Sequence, residues 1–247
     1  ILDGLIALKE ERTDLEFFIS AEAYIKHPFP TKEYVLPKNE FITFAKSADL
    51  ILLFWCKKDT DFELAREIGR WDKTAYVDGS ELGINKRHDF TIQRDVLLGN
   101  YKDWGGIDEN MLRRCALYFR REKPYVRGIT PLPYGITSVY RKQYNPQKLK
   151  DIDFFCVWGQ DEYPLMRRYA QELLADFCKK HGFTYWIGRT NTRDEYYEKL
   201  SRSKVGISIG GGGFDTARFW EILGNNCLLL TERIDIFQPD SGELTYK

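Results

Sequence analysis

The sequence predicts an α/β chain built from two parallel-sheet domains, and three observations carry that expectation. Short apolar runs of strand length alternate with longer segments of helical periodicity along the 247 residues. The clearest runs, residues 49–56 (DLILLFWC) and 153–158 (DFFCVW), are almost continuously apolar. That pattern suits strands buried on both faces of a parallel sheet rather than half-buried antiparallel ones. The alternation breaks once, at residues 131–136 (PLPYGI), and restarts after a polar stretch at 140–151. Two prolines and a glycine fit neither a helix interior nor a central strand. The expected domains are therefore 1–147 and 148–247, each near the lower end of the roughly 100–200 residues usual for a domain.

In the first half, a charged helical stretch precedes a short strand at 15–20 (LEFFIS). The strand at 49–56 follows, then a helix over 61–71, where Phe62, Leu64, Ala65 and Ile68 recur at helical spacing. Residues 74–77 (TAYV) form the next strand, and Asp78-Gly79-Ser80 ends it. Strands at 115–119 (CALYF) and 126–130 (VRGIT) complete the series.

In the second half, Gly159 ends the strand at 153–158. In a helix over 163–180, Leu165, Tyr169, Leu173 and Phe177 repeat every four residues with Met166, Ala170 and Leu174 beside them, so one side is apolar, and His181-Gly182 closes it with a left-handed cap. Residues 183–187 (FTYWI) form a strand. Thr192 and Glu195 make a capping box for the next helix, running to about 203. The strand at 205–209 (VGISI) leads into four glycines. A short helix ended by Gly224 and a strand at 227–231 (CLLLT) follow. The chain begins at Ile1 rather than Met and stops at Lys247 soon after this strand, so an incomplete second domain is expected.

Composition narrows the function. With 43% hydrophobic and 15% aromatic residues the chain has enough apolar mass for packed cores, which excludes disorder, collagen and coiled coil as dominant states. Lys+Arg and Asp+Glu are 37 each, and the balance holds in both halves. Nucleic-acid binders usually carry a basic excess, so a nucleic-acid partner is not expected. No run approaches the ~20 apolar residues of a membrane helix. The five cysteines (Cys56, Cys115, Cys156, Cys178, Cys227) form no CxxC and lie far in sequence from His27, His88 and His181. They read as buried free thiols of a reducing compartment, which places the chain in the cytoplasm, and no metal site is expected.

The most informative segment is residues 210–221, GGGGFDTARFWE. Glycines at the carboxyl end of a parallel strand let backbone approach a ligand closely, and ligands of open α/β sheets bind outside those ends. The helix that follows points its first N–H groups at the same crevice, which suits a phosphate, with Asp215 as N-cap. On a helix starting at Thr216, Phe219, Trp220 and Leu223 share one side, and Arg218 and Glu221 share the other. Arg218 would neutralise phosphate charge, and Glu221 would accept hydrogen bonds from ribose or sugar hydroxyls. The plainer alternative is a solvated Arg–Glu pair three residues apart, worth about 0.2–0.5 kcal/mol. The segment is not a Walker motif. It is also not a dinucleotide GxGxxG, although Glu232 sits where an acidic residue after the next strand would.

Together, DFFCVWG (153–159), FTYWIG (183–188), EYYEKLSRSKVGISI (195–209), GFDTARFWE (213–221) and LLLTE (228–232) resemble the donor-sugar domain of GT-B glycosyltransferases. More narrowly they resemble the CgeB-like, "glycosyl transferases group 1" branch. CALYFRRE (115–122) and ITPLPYGI (129–136) are similar to the strand and inter-domain link that end the first domain there. The resemblance covers roughly residue 74 onward and is strongest over 195–232. It implies two Rossmann-like domains and transfer of a sugar from a nucleotide-diphosphate donor to an acceptor, whether glycan, protein or small molecule, with no cofactor and no metal. In such enzymes the glutamate matching Glu221 binds the nucleotide, and the turn matching Gly211, Gly212 and Gly213 approaches the diphosphate. Phe214, Asp215, Thr216 and Arg218 complete that segment. The chain departs from the family's paired glutamates: the first falls on Gly213, unless Asp215 substitutes. Basic groups usual after the first strand of the donor domain are also displaced. That loop starts at Gly159, and Arg167 is the nearest arginine.

Asp78, at a strand end facing the expected cleft, is the candidate general base toward an acceptor hydroxyl, with a turn or cap as its structural alternative. Glu81 and His88 are weaker candidates. Arg113, Arg114, Arg120, Arg121, Lys123 and Arg127 read as a solvated basic cluster or, functionally, as a site for an acidic acceptor. Tyr196 and Tyr197 are open to base stacking or core packing. A non-catalytic binder of nucleotide sugars or glycans, and a dinucleotide-binding oxidoreductase, are the rival readings.

Overall fold

A computed structural model describes residues 1–21, 31–54, 59–80, 107–121, 128–159, 165–211, 213 and 215–232. Two four-stranded, all-parallel sheets organise these residues, each a Rossmann-like α/β layer. Ahead of the first sheet come α1 (Leu2–Glu11) and α2 (Lys38–Ser47). The sheet itself runs β1 (Ile51–Phe54), α3 (Asp59–Ile68), β2 (Thr74–Asp78), α4 (Glu109–Arg114), β3 (Leu117–Arg120) and β4 (Ile129–Pro131). Its spatial order is β1-β2-β3-β4. Pro131 ends the edge strand β4, a place where its missing N–H costs nothing. The second sheet runs β5 (Ile152–Val157), α5 (Leu165–His181), β6 (Tyr185–Gly188), α6 (Arg193–Ser201), β7 (Ser203–Ser208), α7 (Ala217–Gly224) and β8 (Leu228–Thr231). Its order is β6-β5-β7-β8.

Strand alternation sets the second core. Phe155 and Val157 face one side, against Tyr197, Leu200 and Ile222 of α6 and α7. Cys156 and Trp158 face the other, with Ile207 and Ile209, against Leu174 and Cys178 of α5. Fully burying side chains such as Leu200 and Ile222 contributes about 1.5–3 kcal/mol each. Close approach of α7 to β7 requires Gly206, because a Cβ there would lie 2.6 Å from Ile222 Cγ1. In the first sheet Leu53, Tyr76, Tyr118 and Ile129 pack with Ala65 and Met111.

Several expectations change. Residues 15–20 do not form a strand; Ile19 makes one isolated parallel bridge to Val35. Of the apolar side expected on α5, one stripe points outward, with Tyr169 and Leu173 each 53% exposed and Phe177 45%. The neighbouring stripe faces the sheet instead: Arg167, Leu174 and Cys178 are buried, and Met166 and Ala170 are half-buried. Small Ala170 and Cys178 let the helix lie close to the strands, so volume outweighed hydrophobicity in choosing the face. Phe177 is not left bare, since it stacks on Phe183 at 5.7 Å. Gly182, at φ +71°, ends α5 as expected. α7 ends at Gly224, also as expected; the left-handed residue after it is Asn226 at φ 54°, and a Cβ on Gly224 would lie 3.0 Å from Ile136 Cγ2.

Candidate functional site

Strand order locates the crevice. From β5 the chain steps outward to β6, then returns past β5 to β7, so the connections leave β5 and β7 on opposite sides. Ligands of open α/β sheets sit outside the carboxyl ends at such a reversal. The residues there are Trp158 and Gly159 after β5, and Ile209, Gly210 and Gly211 after β7. Trp158 is 1% exposed. Arg167 and Arg218 each place a guanidinium 5.7 Å from its ring centroid. Arg167 is anchored, donating from Nε and Nη2 to the Ile209 carbonyl at 3.2 and 3.0 Å. Among the described residues, Arg218 Nε and the Trp158 indole N–H are buried and have no hydrogen-bond partner. Each such group costs about 1–3 kcal/mol while unsatisfied. Both are donors, so the local demand is for an acceptor.

The glycine run supports this floor in a way spacing did not foretell. Gly210 N–H donates to Glu232 Oε1 at 2.6 Å, and Gly211 N–H to the Gly213 carbonyl at 2.9 Å. All three of these glycines are buried. A Cβ on Gly211 would stand 2.6 Å from Arg167 Nη2, so the missing side chain is the space the arginine occupies. Two of the expected phosphate-facing N–H groups are thus committed internally. Gly212 and Phe214 lie outside the described residues.

Asp215 is not the N-cap. Thr216 is, its Oγ1 accepting from Phe219 N–H, and it also lies 3.0 Å from Ser208 Oγ. Asp215 is fully buried and ties the second sheet to the first. Its Oδ2 accepts from the Tyr134 N–H at 2.7 Å and lies 3.9 Å from Arg121 Nε, while its Oδ1 accepts from Trp220 Nε1 at 2.7 Å. Arg121 also donates to Tyr134 Oη at 2.8 Å. A carboxylate so buried and so engaged ties the segment after β4 to α7.

Glu221 is half-buried and turned away from Arg218. Tyr196 Oη donates to its Oε2 at 2.7 Å, and Tyr197 Oη to its Oε1 at 2.8 Å. Burial, reinforced by the Glu221 charge, pushes both phenols above their ordinary value. Tyr140, from the link, is raised to about 12, first by burial and then by Glu221. The solvated Arg218–Glu221 pair is therefore not what forms: one side chain covers Trp158, the other binds tyrosines.

Asp78 is far less available than its strand-end position suggested. At 2% exposure it accepts from Tyr118 Oη at 2.7 Å, Arg120 Nη1 at 3.0 Å and Ser80 N–H at 2.8 Å. Arg120 is fully buried and Arg121 nearly so, which corrects the reading of both as solvated. Glu81, His88, Lys123 and Arg127 lie outside the described residues. Gly159 is exposed, with open space where a Cβ would stand.

Sequence reasoning missed Trp158 between two arginines, the tyrosine pair on Glu221 and the Glu232 contact to Gly210. Only the first left a trace, as an aromatic beside the glycine ending β5. Cys115, Cys156, Cys178 and Cys227 are free thiols; burial raises Cys115 to about 11 and Cys156 to about 12, and Cys56 lies outside the described residues. Among the described residues, no group of His, Cys, Asp and Glu could hold a metal ion, and no helix is long and apolar enough to cross a membrane.

No family model matches the chain, and no curated protein matches it. Among solved structures it is similar to an alpha-glucosyltransferase in complex with UDP-glucose and DNA containing an abasic site, with TM-score 0.41 and 8% identity over 81% of this chain. It is also similar to an alpha-glucosyltransferase in complex with UDP and a 13-mer DNA containing an HMU base, with TM-score 0.40 and 10% identity over 82% of this chain. The chain spans 66% of the length of each. No residue role is carried across from them.

Proposed function

We propose that this chain binds a nucleotide-diphosphate sugar in the crevice outside β5 and β7 and transfers the sugar to an acceptor, with residues 1–147 forming the acceptor-side domain and 148–247 the donor domain. The observation that carries this reading is the donor-only floor: Arg218 Nε and Trp158 Nε1, buried and unsatisfied, beside the anchored Arg167. A diphosphate supplies the missing acceptors. Its charge, growing as the sugar leaves, is stabilised by groups already in place, which is how preorganised electrostatics lowers a barrier. Arg218 and the first turn of α7 take the leaving diphosphate. Glu221 accepts from ligand hydroxyls, and Gly159 leaves the entrance open. Asp78 is left out of the role of base, because its carboxylate is buried in an ion pair.

The motif resemblance supports the narrower CgeB-like assignment. Gly213, standing where those families carry a glutamate, favours a second reading in which the chain binds a nucleotide sugar without turning it over.

A thermal-shift panel of UDP, GDP, ADP, NAD⁺ and NADP⁺ on wild type and Glu221→Ala tests the proposal. At one hundred times Kd a single bound ligand adds about 2.7 kcal/mol to stability. A nucleoside diphosphate should stabilise wild type, and Glu221→Ala should lose most of that gain. Stabilisation by none of them, or by the nicotinamide dinucleotides alone, overturns the reading. Donor hydrolysis or transfer separates an enzyme from a binder.

A further inference from the structure

The peptide between Ile209 and Gly210 is held from both edges. Its carbonyl takes Arg167 Nε and Nη2, and its N–H donates to Glu232 Oε1 at 2.6 Å. That is shorter than the usual N–H···O range, and charged acceptors shorten such bonds. Sheet register brings Glu232 to this edge. Ser208 and Thr231 are the last pair between β7 and β8, so the next residue stands at the carboxyl end of β8, beside the glycine run. The plainer reading is that the side chain prolongs the ladder past its last pair. A neutral amide oxygen would do that equally well. A carboxylate also brings a negative charge to the edge of the proposed anion floor. Glu232 is half-buried, so water and salt screen that charge incompletely. One peptide unit separates it from the Arg167 guanidinium, within the roughly 8–10 Å screening length at physiological ionic strength. An anion on the floor therefore meets two arginines and one opposing carboxylate.

The proposed ligand changes charge during transfer. In a nucleotide-diphosphate sugar the terminal phosphate is esterified on both sides and carries a single charge. Once the sugar has left, that phosphate is a monoester with a second pKa of about 6, so it carries close to two charges at neutral pH. We infer that Glu232 is a specificity-determining residue that sets like charge against the extra charge of the free nucleoside diphosphate, favouring the sugar-bearing donor over the product and limiting product retention. The inference rests on the proposed nucleotide site and deepens it. A purely structural tie between β7 and β8 would change stability and would affect both ligands alike.

The experiment measures, by calorimetry, the affinity of two probes. One is the nucleoside diphosphate that stabilises wild type in the panel. The other is the same molecule with a methyl ester on its terminal phosphate, which removes one charge without supplying a sugar. Each is tested on wild type, Glu232→Gln, Glu232→Ala and Glu232→Asp. Gln keeps an oxygen for the Gly210 N–H and loses the charge, whereas Asp keeps the charge. The diphosphate-to-ester affinity ratio should rise about three- to tenfold in Glu232→Gln and Glu232→Ala, the size of one charge–charge interaction at this range. It should stay near the wild-type value in Glu232→Asp. Ester binding shows that a variant is folded, and if one neutral variant fails to fold the other carries the test. Three results overturn the inference and leave the proposed function standing: an unchanged ratio in the neutral variants, an equal rise in Glu232→Asp, or loss of both probes from both neutral variants. Failure of wild type to bind the ester while it binds the diphosphate does the same. No binding of any nucleoside diphosphate by wild type overturns both.

Discussion

At the carboxyl end of the first sheet, fully buried Arg120 lies 3.0 Å from Asp78, which also takes Tyr118 and Ser80. At the same end of the second sheet, Arg167 and Arg218 flank a buried tryptophan, and Arg218 Nε and the indole N–H are unsatisfied. Both sheets have four parallel strands, but one runs β1-β2-β3-β4 and the other reverses at β5 and β7. In the first, β2 and β3 are direct neighbours, Asp78 opposite Arg120, so acid and base from adjacent strand ends meet and neutralise each other. In the second, the connections leave β5 and β7 on opposite sides, and Arg167 and Arg218 converge on Trp158. A buried ion pair between adjacent strands ties a fold together, whereas a buried donor at a strand-order reversal is placed to meet a ligand.

The largest expected effect tests that contrast. Arg120→Ala strands Asp78 in the interior and should cost about 3–5 kcal/mol. Arg218→Met removes a guanidinium whose Nε is already unsatisfied, so it should leave stability within about 0.5 kcal/mol or raise it, while cutting nucleoside-diphosphate affinity at least about tenfold. Urea midpoints and calorimetry on both variants decide the matter. Equal destabilisation by the two would erase the distinction between the sheets.

A smaller effect probes how the floor is built. Gly211→Ala forces a methyl to within 2.6 Å of Arg167 Nη2. Arg167 is buried and held by two hydrogen bonds to the Ile209 carbonyl, so it has little freedom to move aside. The cost should be about 1–3 kcal/mol, as for other overpacked sites. In an Arg167→Ala background the same glycine substitution should cost almost nothing, a coupling that a double-mutant cycle measures. Additive effects would mean that Gly211 is small for some other reason.

What was legible in the sequence follows the same division. Apolar runs and their alternation located all eight strands, with one more at 15–20 that does not form, because strand burial is written in local pattern. The capping Thr192 was legible for the same reason: its Oγ1 accepts from Glu195 N–H at 3.1 Å, although Glu195 itself reaches back to Asn191 N–H rather than to the cap residue. Arg218 and Glu221 stood out beside the glycines because helical spacing separates them from Phe219. Their partners did not, since Trp158, Tyr196 and Tyr197 arrive from 60, 25 and 24 positions earlier through sheet order, which one sequence does not encode locally. Asp78 and Asp215 were legible as carboxylates at the right ends of strands, but their burial depends on Arg120, Arg121 and Tyr134, which come from other elements. On α5 the pattern showed one apolar side made of two adjacent stripes, and only packing decides which of them meets the sheet.

The smallest effect lies at the opposite, amino end of the second sheet. Asp153 accepts from Lys204 Nζ at 2.7 Å, from Thr184 N–H at 2.9 Å and from Thr184 Oγ1 at 2.8 Å. These partners, Lys204 first, lower its carboxyl from 3.8 to about 2. A depressed folded-state value stabilises above the unfolded value, and the contribution disappears as pH falls from about 4 through about 2. Because the pair is partly solvated, the amount should be about 1 kcal/mol rather than the full worth of the shift. Wild type should therefore lose about that much more stability than Asp153→Asn between pH 5 and pH 2, read from urea midpoints. The proposed nucleotide crevice lies at the other end of the strands, so relative ligand affinities at neutral pH should be the same in the two proteins. A change in affinity with Asp153→Asn would show that the two ends of this sheet are coupled, and that the carboxyl-end site cannot be treated apart from the rest of the fold.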